Sequence, residues 1–152
     1  GDIPDRTAAA IGLALRADFV VVGWLDRFRQ EDGVAQETPR KAPLRRDRTV
    51  SATYTERRYT AKLTGEFVYR ILDPVTRGTV DEETVSAEVS TLFRRAAFDG
   101  DPATLDLSRE ERALFDREAW RRAEEELEDD LVDKLAEKIA SGLFERVLRR
   151  VR

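Results

Sequence analysis

Residues 59–71 read YTAKLTGEFVYRI, and apolar side chains fall at every second position of this stretch. A second run has the same spacing, at Val85, Ala87, Val89, Thr91 and Phe93. Alternation with a period of two indicates strands that have one buried face and one solvated face. Between the runs, the sequence Asp73-Pro74-Val75-Thr76-Arg77-Gly78 predicts a turn in which Gly78 takes a positive φ. The pattern therefore predicts a long antiparallel hairpin over residues 59–93.

Upstream of the hairpin, the apolar positions change parity. They are even-numbered at Val50, Ala52 and Tyr54, and they are odd-numbered from Tyr59 onward. Because a slip of one residue turns every side chain to the other face of a strand, we expect a bulge near residues 56–58. A third strand is predicted at 18–29. Its apolar run at 19–22 serves both faces, which is typical of a central strand.

Helical patterns flank the strands. Residues 5–15 predict a short helix that is capped by Asp5 or Thr7, and Gly12 in it indicates close packing on the sheet. Ser108 and Glu111 have the spacing of a capping box, and a helix is predicted from there to Val151. Its four-residue spacing makes a broad apolar face. One stripe of this face is Leu114, Trp120, Ala123, Leu127, Leu131, Leu135, Ile139, Leu143 and Val147, and beside it lie Val132, Ala136, Ala140, Phe144 and Leu148.

The order of elements predicts an α+β fold. We expect an antiparallel three-stranded meander with a long hairpin, and a short N-terminal helix and a long C-terminal helix packed on one face. Residues 30–46 are polar, contain two prolines, and are predicted to be a mobile loop. Residues 98–107 form a second connection. A chain of 152 residues is expected to be a single domain. The last helix exceeds what one core needs, so it either kinks at Gly142 or projects and pairs with a partner.

The composition excludes several kinds of chemistry. The chain has no cysteine, methionine or histidine, so a disulfide, a thiolate nucleophile and a Cys/His metal site are impossible. The net charge is −4, with 27 basic and 31 acidic residues, which is not the balance of a nucleic-acid-binding protein. No apolar stretch approaches the ~18 residues of a membrane span. We find no catalytic constellation and expect no enzyme activity, no metal and no cofactor.

Two groups of residues are candidates for binding. A basic cluster, which we define as Arg40, Lys41, Arg45, Arg46 and Arg48, could contact phosphate or an anionic lipid headgroup, or it could be a solvated part of the loop. Trp24 and Trp120 are expected to touch where the last helix meets the first strand. An exposed tryptophan would instead mark a partner site.

Acidic residues offer weaker candidates. The run from Glu124 to Asp133 could bind a divalent cation, but it lacks a glycine-containing loop, so a solvated helix face is the better interpretation. Asp99-Gly100-Asp101 is better explained as a turn. Glu82 and Glu83 are adjacent on a strand, so their side chains point to opposite faces and cannot share a site.

Three segments resemble a family of bacterial envelope lipoproteins. Residues 17–23, ADFVVVG, are similar to the strand entry of the curli-secretion and penicillin-binding-protein-activator lipoproteins, whose fold is shared by the amino-terminal domain of the Tol-Pal propeller protein. Residues 70–78, RILDPVTRG, resemble the hairpin of the same families, where Asp-x-x-Thr-Gly is usual; here Arg77 separates Thr76 from Gly78. The last helix, with Leu131, Leu135, Ala136, Lys138 and Ile139, is similar to the closing helix of those proteins.

The resemblance covers about half of the chain and implies a location and a role. It implies a periplasmic or outer-membrane-associated protein that is a fragment of a longer lipoprotein, near the membrane surface through a lipid anchor outside this chain. It implies a non-enzymatic scaffold or assembly role, through a protein partner or a homo-oligomer. The alternative function is a binding domain for an anionic lipid, a glycan or a small ligand that uses the basic cluster.

Overall fold

The computed structural model describes residues 4–151, and of residues 147, 148, 150 and 151 it describes no side chains. The side chains of Val147 and Leu148, two positions of the predicted apolar face, therefore lie outside the described part. In chain order, the elements are α1 (Asp5–Ala14), β1 (Val20–Asp32), β2 (Gln36–Pro43), β3 (Ser51–Leu72), β4 (Thr79–Ala97), a 3-10 turn (Pro102–Thr104), α2 (Arg109–Ala113) and α3 (Arg117–Val151). The predicted α+β fold, with a short first helix, an antiparallel sheet and a long last helix, is confirmed.

The sheet has four strands, and β3 pairs with each of the other three. The prediction of a mobile loop over 30–46 is wrong, because β1 continues to Asp32 and β2 follows after a gap of three residues. β2 pairs with β3 in register from Gln36 opposite Arg58 to Pro43 opposite Ser51. The prolines and charges of β2 are typical of a loop, so its sequence did not indicate a strand. An edge strand nevertheless tolerates both. The prediction that β1 is a central strand is also wrong. In the described sheet β1 pairs with β3 on one edge and with no strand on the other.

The buried side of β3 changes along the strand. Tyr54 and Glu56 are buried, the next two residues are exposed, and Tyr59, Ala61 and Leu63 are buried. This confirms the change of parity that the sequence predicts at 56–58. One strand thereby carries two buried series of opposite parity.

The β3–β4 turn differs from its prediction in one respect. The residue with positive φ is Arg77, at 61°, and Gly78 does not have one. The Asp73 carboxylate accepts a hydrogen bond from the Val75 amide at 2.9 Å, and the Asp73 carbonyl accepts one from the Arg77 amide at 2.8 Å. These bonds hold the chain in a conformation that a glycine at position 77 would adopt without strain.

Helix α1 packs closely against the sheet. Its buried residues are the small ones, Ala8, Ala9 and Gly12, and a Cβ atom on Gly12 would overlap the Val20 side chain. The predicted caps are wrong: Pro4 is the N-cap residue without a side-chain cap, and Asp5 instead pairs with Arg70 at 3.0 Å. Arg70 is a cationic partner of the helix because its side chain points from β3 to the face that α1 covers.

Helix α3 contacts the other face of β3. Leu131 and Leu135 pack on Gly65, and a Cβ atom on Gly142 would lie 2.8 Å from the Tyr69 hydroxyl oxygen. Residues 65 and 69 differ in parity from residue 70, so their side chains point to the opposite face. Within this part of the fold, α1 and α3 therefore cover opposite faces of the sheet, where the sequence placed both helices on one.

The predicted C-terminal helix is divided. Ser108 and Glu111 form the predicted capping box at the start of α2, but α2 ends at Ala113 and α3 begins at Arg117. Asp116 starts the second helix by accepting a hydrogen bond from the Glu118 amide at 2.9 Å. Leu127, Leu131 and Leu135 are buried as predicted, and the helix continues through Gly142 to Val151.

The described chain divides into two compact units. Unit 1 comprises the described residues within 1–29, 64–88 and 131–152, and unit 2 comprises 30–63 and 89–130. The boundaries fall inside β1, β3, β4 and α3 rather than in linkers. Unit 2 has a core cluster of Ala42, Tyr54, Ala96, Leu105 and Leu107, so the predicted connection at 98–107 supplies two of its buried side chains.

Candidate functional site

The basic cluster is partly neutralised within unit 2. The Arg40 Nε donates to a carboxylate oxygen of Glu56 at 3.1 Å, and the Arg45 Nε donates to the Leu105 carbonyl at 3.1 Å. Arg48 pairs with Asp106 at 3.1 Å. Lys41 and Arg46 are exposed and have no ion pair among the described residues. Three of the five predicted binding cations therefore have structural partners, and the structure does not gather the five around one ligand-sized space.

A small cavity of about 320 Å³ lies beside this cluster. It is lined by Leu44, Arg45, Arg46 and Thr104. The Arg45 side chain in this lining donates to the Leu105 carbonyl. A cavity of this kind offers a single unengaged cation, Arg46, to a ligand.

Glu56 is the buried charge of unit 2, and its side chain is only 3% exposed. It lies between two strands' arginines: Arg40 on β2 at 3.1 Å and Arg94 on β4 at 2.8 Å. The hydrogen bond from Arg94 is the main cause that lowers the pKa of Glu56, and burial opposes it. No prediction from the sequence includes this site, although the even parity that Glu56 shares with Tyr54 indicates that both side chains face the core.

Tyr54 and Glu111 extend this polar group toward α2. The Tyr54 hydroxyl donates to Glu111 at 3.0 Å, and burial is the main cause that raises the pKa of Tyr54. Glu111 also accepts from the Ser108 amide, and this bond is the main cause that lowers its pKa. All of these groups have partners, so the arrangement joins strands and helix rather than exposing a reactive atom.

The two tryptophans belong to different units. In unit 1, the Arg70 guanidinium lies 4.9 Å from the centre of the Trp24 ring. In unit 2, Arg95 lies 4.9 Å from the Trp120 ring, and the Trp120 indole donates to the Leu114 carbonyl at 2.9 Å. Each ring thus has its own arginine, which is a favourable cation–π arrangement.

The paired carboxylates behave as the sequence predicts. Glu82 pairs with Arg70 at 3.4 Å on the α1 side of the sheet, whereas Glu83 pairs with Arg146 of α3. Residues 99 and 100 form a bend, and the Asp101 carboxylate caps the 3-10 turn that follows by accepting a hydrogen bond from the Ala103 amide at 2.9 Å. Within the described chain, no group of three or more carboxylates is placed to hold a metal ion.

Exposed apolar side chains are concentrated in unit 1. Among the described residues, nine large exposed hydrophobic side chains belong to unit 1 and three to unit 2. Those of unit 1 are Ile11, Leu13 and Leu15 on α1, Val21, Leu25 and Phe28 on β1, Val75 in the turn, and Val132 and Phe144 on α3. We call the β1 members, Val21, Leu25 and Phe28, the β1 apolar set. The α3 members belong to the second stripe of the predicted apolar face, which the sheet leaves uncovered.

The fold is that of an α+β protein. Besides its exposed apolar side chains, unit 1 has a cavity of about 300 Å³ whose lining includes Glu83, Lys138 and Arg146, and the buried Tyr69 hydroxyl beside it has no hydrogen-bond partner among the described residues. Comparison with models of protein families, with curated proteins and with solved structures finds no match to this chain. Within residues 4–151, no helix has the length and hydropathy needed to cross a bilayer.

Proposed function

We propose that this protein is a non-enzymatic interaction module that acts through contact with a protein partner or with itself. The observation that carries the proposal is the excess of exposed large hydrophobic side chains on unit 1. Exposed apolar side chains that lie together are typical of protein–protein contact sites, and Val21 and Leu25 lie on one face of β1. The same side chains would lower solubility if they served no contact, because each exposes apolar area to water.

The polar groups support binding rather than catalysis. The buried carboxylate Glu56 is held by two arginines, and the hydroxyl of Tyr54 is engaged by Glu111. A general base needs a free lone pair within reach of a substrate proton. The groups with altered pKa values are therefore assigned to stability, and the proposal gives no residue a catalytic role.

The proposed location is the bacterial envelope, periplasmic or outer-membrane-associated. It rests on the resemblance of residues 17–23 and 70–78 to envelope lipoproteins. Fractionation of the cells that make the protein tests it, with an antibody against the native chain. Recovery in the envelope fractions is expected, and recovery with cytosolic marker proteins would contradict this part of the proposal.

The interaction role is tested by photo-crosslinking in the native host. A photoreactive residue replaces Leu15, Leu25 or Phe144 in unit 1, and the exposed residues Glu37 or Arg57 in unit 2 serve as matched controls. We expect covalent adducts from the unit 1 positions and few from the controls. Equal yields from both units, or none from unit 1, would contradict the proposal.

The alternative function, binding of an anionic lipid, glycan or small ligand, has less support. It depends on the basic cluster, in which Arg40, Arg45 and Arg48 already have partners. Lys41 and Arg46 remain to contact an anion. Two exposed cations contribute only modest attraction at physiological salt.

A further inference from the structure

Strand β1 is built like a central strand but lies at an edge. From Val20 to Leu25 it reads VVVGWL, without a proline or a charge, and in the described sheet it pairs with β3. Edge strands normally carry lysine, proline or inward charges that prevent pairing with another chain. β2 has such protection, in Pro39, Lys41 and Pro43, and β4 carries Asp81, Glu82 and Glu83. The first half of β1 is thus the unprotected edge of this sheet.

The β1 apolar set lies on both faces of the strand. Val21 and Leu25 are 43% and 52% exposed, and Phe28, of opposite parity, is 51% exposed. Gly23 lies between the first two, and a Cβ atom there would overlap the Phe67 ring. The ring therefore fills the gap that Gly23 leaves, and it continues the apolar surface across β3. Apolar side chains on both faces are typical of a strand that is buried on both faces, as the central strands of a sheet are.

We infer that the open edge of β1 pairs with β1 of a second copy of this chain, antiparallel and about a two-fold axis at Gly23. The inference rests on the proposed interaction role and names its partner. In this register, Val22 lies opposite Trp24 of the second copy, Val21 lies opposite Leu25, and Val20 lies opposite Asp26. Directly opposed side chains share a face, so Val21 and Leu25 of one copy continue the apolar surface that Leu25 and Val21 form on the other.

The sequence of β1 favours this occupant and this register. Under a two-fold axis that is perpendicular to the sheet, opposed side chains share a face, so opposed residues have numbers of equal parity. The axis must therefore pass through one residue of the strand and not between two residues. An axis at Val22 opposes Asp18 to Asp26, and an axis at Leu25 opposes Gly23 to Arg27 and Val21 to Arg29. An axis at Gly23 pairs Val21 with Leu25 and Val22 with Trp24, and it places no charge opposite a like charge. The edge is therefore self-complementary.

Cysteine pairing tests the inference, because the chain has no native cysteine. Directly opposed strand residues are close enough for a disulfide. An equimolar mixture of Val21→Cys and Leu25→Cys is expected to form a covalent dimer on mild oxidation. Either variant alone should form little, because two copies of residue 21 are roughly 13 Å apart in this register. Efficient cross-linking of Val21→Cys alone would overturn the register.

Sedimentation of the chain without cysteine cross-links is the second measurement, and it determines the dissociation constant of the dimer. We expect a concentration-dependent dimer, and Leu25→Lys should raise its dissociation constant at least about tenfold by charging the edge. Phe144→Lys is the control: this side chain is 67% exposed on α3, and its replacement should leave the dimer intact. The far-UV circular dichroism of both variants should match that of the parent.

The outcomes separate this inference from the proposed function. A chain that stays monomeric over micromolar concentrations overturns pairing through β1, whereas adducts with another protein in the photo-crosslinking experiment would still support the interaction role. A dimer that is weakened by Phe144→Lys and unaffected by Leu25→Lys also overturns the inference, since it would place the contact on α3.

Discussion

Glu56 shows how one buried charge can join three strands. Its carboxylate is fully buried on β3, and it binds Arg40 of β2 and Arg94 of β4 at 3.1 and 2.8 Å. A buried ion pair adds little over an apolar equivalent, but loss of one partner leaves an uncompensated charge. The group therefore specifies which strands lie beside β3 more than it stabilises them.

The two arginines should contribute unequally. Arg94→Ala is expected to lower the free energy of unfolding by about 2 kcal/mol, and Arg40→Ala by about 1 kcal/mol, because Arg94 makes the shorter bond. Both guanidinium groups are half exposed, which keeps these costs below those of a fully buried pair. Urea denaturation measures both. Equal costs, or a larger cost for Arg40→Ala, would contradict the assignment.

Glu56 also predicts how stability depends on pH. Its folded-state pKa is held below the ordinary value of 4.5, chiefly by the bond from Arg94. A carboxyl group with a lowered pKa stabilises the folded state above its unfolded-state value, and that contribution is lost as the pH falls through the folded-state value. The free energy of unfolding should therefore fall as the pH drops below about 4.5. Glu56→Gln should be less stable at pH 7 and should lose less on acidification, as followed by denaturation across that range.

Arg77 stores local strain in the β3–β4 turn. Its φ of 61° is a left-handed conformation, which costs a residue with a Cβ atom roughly 1–2 kcal/mol relative to glycine. Arg77→Gly should thus raise the free energy of unfolding by about 0.5–1 kcal/mol after the greater freedom of glycine in the unfolded chain is subtracted. Arg77→Ala is the control and should change little. A destabilised Arg77→Gly variant would mean that the arginine side chain itself holds the turn.

At the scale of elements, β2 shows where the sequence pattern is insufficient. Its prolines at 39 and 43 and its charges resemble a loop, yet eight residues pair in register with β3. An edge strand has one hydrogen-bonded side, so it tolerates residues that a central strand excludes. β1 shows the reverse, because apolar residues on both faces predicted a central strand and the structure places it beside β3 alone. Periodicity reports which side chains could be buried, and strand order decides which are.

Neighbouring residues of β2 should respond differently to charge reversal. Arg40→Glu places a second carboxylate beside buried Glu56 and is expected to cost about 3 kcal/mol of stability. Lys41→Glu and Arg46→Glu replace exposed side chains and should change stability by less than about 0.5 kcal/mol. Denaturation tests these values. Sedimentation with anionic vesicles tests binding, and loss of vesicle binding in the Lys41→Glu/Arg46→Glu variant alone would revive the anion-binding function.

At the scale of the whole molecule, the architecture was readable because its signals are local and repeated. The hairpin, the change of parity in β3, the capping box and the buried leucines of α3 each follow from spacing within one segment. The site-level features depend on residues distant in sequence. Glu56 meets Arg94 across 38 positions, and no local pattern encodes such a meeting. The basic cluster looked available for binding because its partners, Glu56, Leu105 and Asp106, lie outside its own segment.

The change of buried side within β3 makes that strand sensitive to its length. Deletion of one residue between Tyr54 and Tyr59 would place the two tyrosines an even number of positions apart. Their side chains would then belong to the same alternating series along the strand. One aromatic ring would then be directed to solvent, and no side-chain exchange elsewhere could restore it. Point substitutions at the exposed Arg57 and Arg58 should be tolerated far more readily than any loss or gain of a residue there. We therefore expect that this interval tolerates changes of residue type but not changes of length.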